Sequence, residues 1–365
     1  MLTMIANKDT FIHRLLSISL LLILHITTVR SGELISDNSI EFSGYSELYY
    51  TFDFTNPKNI EKGNFIVNHK RNNTISTNIL IGKAAYTNKS FRSTLGLMIG
   101  DYSTFNLINE KDWAKNIYEA QAGLLLSSNK NIWLDIGVMP SHIGFESVIG
   151  KDCWNVTRSI LAENSPYYET GAKISYTSDD TDFQSSLLFL NGWQNISAHN
   201  LYSLPAIGIQ IQSKLNKNTI VNYSNYIGCS KSEDNKKIRT YHNFYLIYGQ
   251  ENRLSFITGL DIGTDNKNNQ YGYWFSPILI ARYAINPNIN ASCRIEYFND
   301  SKGLIIPTND IHGFNVKGFS TNVDYQIQKN CLFRIEAKLY HSDTEMIGTN
   351  TQSNLSITSS ISYTF

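Results

Sequence analysis

The sequence predicts an all-β chain closed into a transmembrane antiparallel barrel of roughly sixteen strands, with twelve to fourteen as the alternative count. Three features point there. Runs of about nine to twelve residues alternate apolar with polar side chains, a period of two that belongs to a pleated strand and not to a helix. The connections between the runs are long and short by turns, as where long extracellular loops and short periplasmic turns join tilted strands. The chain also ends, from Asn354 to Phe365, on Leu355, Ile357, Ile361, Tyr363 and Phe365 interleaved with small polar residues.

Composition agrees. The 365 residues carry 31 acidic and 31 basic side chains, so no charge imbalance invites nucleic acid. Tyr 22 and Phe 18 against Pro 7 favour strands. At the N-terminus a flank with Lys8, His13 and Arg14 precedes an apolar core from Leu15 to about Ile26. That core is too short to cross a bilayer and fits a secretory leader, so residues 1–32 read as a signal peptide and 33–365 as the barrel. No later segment approaches eighteen consecutive apolar residues, so spanning must be by strands.

In order, strand one is Ile40 to Phe54, and strand two places Ile75, Thr77, Ile79 and Ile81 on one face. Strand three sets Phe91, Leu95, Leu97 and Ile99 outward and Arg92 inward; strand four, Ile117 to Leu126, points Glu119 and Gln121 inward. Strand five alternates Ile132, Leu134, Ile136 and Val138 with Trp133, Asp135 and Gly137, and strand six is Tyr168 to Tyr176. Strands seven to ten are Phe183 to Trp193, Ala206 to Lys214, Thr219 to Ile227 and a run ending at Tyr248. Strand eleven, Arg253 to Gly263, leads through a polar loop, Thr264 to Gln270, into strand twelve, Tyr271 to Ala284. Strand thirteen is Ile289 to Phe298, strand fourteen follows Gly313, and Leu332 to Tyr340 precedes the closing strand. Aromatics near strand ends, among them Tyr50, Phe54, Tyr118, Tyr168, Trp193, Tyr248 and Phe365, read as outward girdles at the two interfaces.

Inward positions collect charges of both signs, including Glu47, Arg92, Asp135, Glu169, Lys173, Arg253, Arg282, Arg294, Glu296, Arg334, Glu336 and Lys338. So many charges cannot form a dry core, but they can line water. A barrel this wide is a channel unless a loop narrows it. The longest connection, Pro140 to Pro166, is the candidate constriction. The pore-lining candidates are therefore Asp135, His142, Glu146, Arg158, Glu163, Glu169 and Lys173.

Other chemistry finds little support. Ser141-His142 and His242-Asn243 are fragments of a triad without the third member, so no catalytic residue and no enzyme is expected. The four cysteines lack CxxC spacing, and DIGTDNKNNQ lacks the terminal Glu and central Gly of a calcium loop, so neither metal nor cofactor is expected. Pairing of Cys153 with Cys229 is left open.

The segments WLDIGVMPSHIGFES, WNVTRSILAENSPYYETGAKISY and NGWQ, with SGYSELYYTFDFTNP near the start, resemble the β-barrel porin-2 (OmpL-like) family. The closing strand, ending on Phe365, is similar to that of bacterial outer-membrane barrels. The resemblance implies an outer-membrane porin of a Gram-negative bacterium. The expected partners are outer-membrane lipid, small hydrophilic solutes diffusing passively, and further copies of the chain as a homo-oligomer. The alternative is a non-porin barrel, adhesive or less readily enzymatic, in the same membrane.

Overall fold

A computed structural model describes residues 39–56, 58–197, 205–229, 238–249, 252–267, 270–308, 310–345 and 351–365. The leader expected over 1–32 lies outside the described residues. The strands are β1 Ser39–Asp53, β2 Ile75–Thr87, β3 Phe91–Ile99, β4 Ile117–Ser127, β5 Ile132–Pro140, β6 Tyr168–Thr177, β7 Phe183–Leu190 and β8 Ala206–Asn216. They continue as β9 Thr219–Cys229, β10 Ile238–Tyr248, β11 Leu254–Lys267, β12 Gln270–Asn286, β13 Ile289–Asp300, β14 Phe314–Gln328, β15 Cys331–His341 and β16 Ser353–Thr364. Each pairs antiparallel with its sequence neighbours, and β1 pairs with β16 from Tyr45↔Thr364 to Asp53↔Ser356, closing the sixteen strands into a barrel. Sixteen is the count the alternation predicts, and the lower alternative falls away.

Closure leaves the sheet without an edge, which lets the strands sit in hydrocarbon with every ladder group paired. The outer surface suits that solvent. On β15, Phe333, Ile335 and Leu339 are exposed, while Arg334, Glu336 and Lys338 between them are buried on the inner face. On β14, Phe319, Val323 and Tyr325 point out beside inward Ser320, Asn322 and Asp324. In water this apolar belt would far exceed the few hundred Å² that soluble monomers expose. At the seam, Gly44 and Phe365 exchange both backbone hydrogen bonds, at 3.1 and 3.2 Å. The Phe365 ring lies where a Cβ on residue 44 would stand, 2.1 Å from that position, so the terminal aromatic covers a glycine gap in the wall.

Several facing expectations change at irregularities in the ladder. Ile79 and Ile81 point inward, not with Ile75, because the β1–β2 register shifts between Glu47 and Leu48. Asn78 fills that bulge and its amide turns inside, donating to Glu47 Oε2 (2.8 Å) and accepting from the His69 N–H (2.9 Å). Tyr118 is the extra residue of a second bulge, on β4, and packs inward beside Gly96. Tyr168 also faces in, its hydroxyl within hydrogen-bond distance of two acceptors, Glu110 Oε1 (3.2 Å) and the Gln194 carbonyl (3.1 Å). Trp193 follows β7 and is enclosed by the rings of Tyr226 and Tyr241, both 5.1 Å away. Arg253 lies exposed at a turn, over the Tyr283 ring, and not in the lumen. Where a polar loop is expected from Thr264 to Gln270, β11 and β12 instead stay paired as far as Lys267↔Gln270.

Among the described residues the short α-helices lie in the connections: α1, Asp101–Asn106, after β3, and α2, Ile160–Glu163, in the loop between β5 and β6. Apolar clusters form where loops fold back against the inner wall, the smallest joining Trp154 and Leu161 to Ile257, Ile278 and Ile280. One joins Phe65, Ile143, Ile160 and Ile306 from loops to Tyr241, Trp274, Phe298 and Tyr340 from strands. Another joins Val148 and Ala162 to Ile79, Ile81, Met98 and Val138.

Candidate functional site

The connection from Ser141 to Tyr167 lies inside the barrel, and the inner face of the wall is built to hold it there. Pro140 ends β5, and the Ser141 N–H donating to the Tyr167 carbonyl (3.0 Å) closes the base of the loop. The loop then crosses to β9, where the His142 carbonyl accepts from Ser224 Oγ (2.7 Å) and His142 Nε2 lies 2.7 Å from the Asn225 carbonyl. Gly144, in the left-handed region at φ +87°, donates its N–H to Asn243 Oδ1 on β10 (3.2 Å). Phe145 meets the Tyr245 ring edge-on.

Beyond this the loop is gripped by charged side chains from adjacent strands. Arg294 on β13 donates to the Thr157 carbonyl (2.8 Å) and Thr157 Oγ1 (3.0 Å), and its guanidinium also meets Glu146 Oε1 (3.4 Å), Glu296 Oε1 (3.3 Å) and Glu336 Oε1 (3.0 Å). Glu336 and Glu296 accept from the N–H groups of Thr157 (2.5 Å) and Ile160 (2.6 Å). Arg334 donates to the carbonyls of Gly150 (2.7 Å) and Cys153 (2.9 Å), and Lys338 to that of Arg158 (2.9 Å). The Lys151 N–H reaches Tyr45 OH on β1 (3.3 Å). A loop without a sheet ladder would leave its backbone groups unpaired, and these side chains supply the partners.

Internal ties complete it. The buried Arg158 donates to the carbonyls of Ser147, Val156 and Val148 at 2.7, 2.7 and 2.9 Å, stapling one limb to the other. Ser159 caps α2 by accepting from the Ala162 N–H (3.1 Å), while its own hydroxyl donates to Glu146. Glu163 accepts from the N–H groups of Val67 (2.7 Å) and Asn68 (3.1 Å), so the first long loop is fastened onto this one. Burial pushes the His142 imidazole down to about 4, raises the Glu163 carboxyl above its usual range and pushes the Cys153 thiol up to about 11.

The seven sequence candidates thus fall into groups. His142, Glu146, Arg158 and Glu163 come together in the loop, each buried and bonded within it or to the wall. Asp135 on β5 lies opposite Lys173 on β6 in register and is held by Arg92 through two bonds, at 2.7 and 2.5 Å. Glu169 is buried near the start of β6, opposite Met139 at the base of the loop. The wall anchors Arg294, Arg334, Glu336 and Lys338 read in the sequence as inward charges; their role as anchors did not. Their signal is the alternation of charges on β13 and β15, dense enough to require counter-groups. Cys153 and Cys229 are free thiols. Among the described residues no group of three or more His, Cys, Asp or Glu could hold a metal ion.

On β2 to β8, some inward polar side chains keep contact with solvent, whereas Asn78, Glu119, Asp135 and Glu169 are buried. The side chains of Lys83 and Arg92 are 37% and 38% exposed, and Lys173, Gln210 and Gln212 are half-buried.

The profile of the family described as "Putative beta-barrel porin-2, OmpL-like" matches residues 39–365. No curated protein matches the sequence significantly. Among solved structures, the fold is similar to Salmonella typhi OmpF in a daunomycin complex, at 9% identity and TM-score 0.62, covering 92% of this chain and 100% of that one. It is similar to an anion-selective porin from Comamonas acidovorans, at 9% identity and TM-score 0.58, covering 90% and 100%. The trimer form of Vibrio cholerae OmpT gives 11% identity and TM-score 0.56, covering 90% and 99%.

Proposed function

Because the chain belongs to the OmpL-like β-barrel porin-2 family, and is thereby an outer-membrane porin, we propose that it passes small hydrophilic solutes by passive diffusion along the inner face of β2 to β8, past the polar side chains that the internal loop leaves in contact with solvent. The observation that carries this reading is the asymmetry of the lumen. The inward charges of β13 and β15 are buried against loop backbone, Arg294, Arg334 and Glu336 at 1% exposure or less, whereas Lys83 on β2 and Arg92 on β3 remain wet. A solute moving past Lys83, Arg92, Lys173, Gln210 and Gln212 would exchange part of its hydration for cationic groups and amides, a lining that favours anions. The loop from Ser141 to Tyr167 forms the other side of the passage, fixed by its anchors.

The barrel acts as a conduit, and we assign it no catalytic residue. Association into a homo-oligomer belongs to the same proposal; the trimer form of the similar OmpT supports it, and the exposed apolar belt supplies a surface for it. The deciding experiment is single-channel recording from the purified, refolded chain in a planar bilayer, followed by liposome swelling with sugars of increasing size. Stable conductance steps with a size cut-off are expected. A folded barrel without steps would overturn the diffusion reading.

A further inference from the structure

A polar cavity of about 340 Å³ opens inside the barrel toward the end that carries the short turns, lined by Trp154, Asn252, Ser255, Arg282, Ala284 and Asn290. Asn252 precedes β11 and Asn290 follows the β12–β13 turn, which places the cavity at the periplasmic mouth. Trp154 is the part of the internal loop that reaches it. Its carbonyl is pinned by Ser292 Oγ (2.7 Å) and Asn322 Nδ2 (3.3 Å), so the indole is held in place beside Arg282, 5.8 Å from ring centre to guanidinium carbon.

Arg282 differs from the other inward arginines. Arg294 and Arg334 hold loop backbone and wall carboxylates, and both are fully buried. The nearest carboxylate to Arg282 is Asp324, 3.8 Å away, beyond hydrogen-bond distance. Asp324 is already engaged by Arg334 Nε (2.7 Å) and Nη2 (3.2 Å) and by Asn322 Nδ2 (2.7 Å). Two arginines thus face one carboxylate, which leaves a surplus positive charge on the cavity side. Arg282 Nε is buried and has no hydrogen-bond partner. None of the six lining residues is acidic. A buried donor on a charged group left without an acceptor is costly, and a planar two-oxygen anion is the acceptor whose geometry matches the guanidinium edge.

We propose that this cavity is a binding subsite for carboxylate solutes, with the carboxylate on Arg282 and a flat or apolar body against Trp154. The volume, roughly ten times the 30 Å³ or so that one liquid water occupies, admits a ring with its carboxylate. The inference deepens the porin reading by naming a solute class, and rests on it only for access from the pore.

The test is equilibrium dialysis of labelled benzoate against the full barrel folded in detergent, with planar-bilayer recording of the same preparations. Wild type should bind benzoate and not the neutral benzamide, and benzoate on the periplasmic side should reduce conductance in a concentration-dependent way. Arg282→Gln should weaken binding tenfold or more. Trp154→Ala should weaken benzoate more than acetate. Should Arg282→Gln fold poorly, Asn290→Asp, which puts an anion on the cavity wall, should weaken benzoate similarly. Equal binding of benzoate and benzamide, or unchanged benzoate binding in a folded Arg282→Gln or Asn290→Asp barrel, would overturn the subsite. Binding without conductance would count against the diffusion reading and leave the subsite standing.

Discussion

Arg294→Met should release the internal loop from the wall while the barrel itself stays closed. The substitution keeps much of the side-chain volume and removes the guanidinium that contacts Thr157 twice and Glu146, Glu296 and Glu336 once each. What remains is three buried carboxylates with one nearby cation, Lys338, whose ammonium lies 3.2 Å from Glu296 Oε1. Removing one partner of a buried ion pair costs about 3–5 kcal/mol, chiefly through the uncompensated charges left behind. At about 1.4 kcal/mol per tenfold, the detached fraction of loop should rise by roughly two to four orders of magnitude. The ladders of β13 with β12 and β14 are backbone bonds and should survive. Cys153 reports the outcome, since it is buried and its Cys153 carbonyl is held by Arg334. In a Cys229→Ser, Cys293→Ser, Cys331→Ser background, maleimide should label Cys153 slowly in the parent and far faster after Arg294→Met, with conductance rising in parallel. A properly folded Arg294→Met barrel whose Cys153 stays as protected as in the parent would refute the anchoring argument.

Gly44→Val should hinder barrel closure, because the Phe365 ring occupies the space its side chain needs; overpacking of this kind costs about 1–3 kcal/mol. Its effect on the yield of heat-resistant folded barrel should not add to that of Phe365→Ala, and full additivity would show that the ring is irrelevant. Ile335→Arg, on the lipid face of β15, should destabilise by about 2–4 kcal/mol in a urea titration if the site sits near the midplane, whereas Gln212→Arg, inward and half-buried, should change stability little. Loop docking should also weaken as the pH falls. His142 is held near 4, below the 6.5 of a free imidazole, so the detached loop takes up a proton that the docked loop refuses. Docking is at full strength above about pH 6.5 and loses up to about 3 kcal/mol on the way down to about pH 4. Glu163, raised by burial, acts with the opposite sign as pH rises through its range, so the informative quantity is the difference from His142→Gln in Cys153 labelling at each pH. A difference that does not vary between pH 7 and 4.5 would exclude the histidine.

The strands were legible because their information is local. Alternation on β13 to β15 needs no knowledge of partners, and a terminal run such as Leu355 to Phe365 shows one apolar face by itself. What escaped were the places where one extra residue reverses the alternation. Asn78 and Tyr118 each sit in a bulge, and nothing in Thr77-Asn78-Ile79 or Ile117-Tyr118-Glu119 separates a bulged residue from a regular one. Trp193 and Tyr168 escaped for a related reason. A loop folded into the lumen gives an inward aromatic an apolar neighbour, and a period-two pattern cannot show what lies across the barrel.

The same limit changes the meaning of the lumen charges. Counted along the sequence, inward acids and bases balance, which predicts weak ion selectivity for a wide open tube. In the folded barrel Arg294, Glu296, Arg334, Glu336 and Lys338 are nearly all buried against loop backbone and one another, and charges so paired and desolvated present little field to a passing ion. On the strands, the inward charges left in contact with water include Lys83, Arg92, Lys173 and Arg282, against carboxylates Glu119 and Asp135 that are themselves held by Lys83 (3.8 Å) and Arg92 (2.5 Å), while the exposed Lys151 and Asp152 of the loop offset one another. That remainder leans positive, so reversal potentials in a salt gradient should show a preference for anions, and Lys83→Gln with Arg282→Gln should move it toward neutrality. A cation preference in the parent would mean that the loop does not shield the carboxylates it covers.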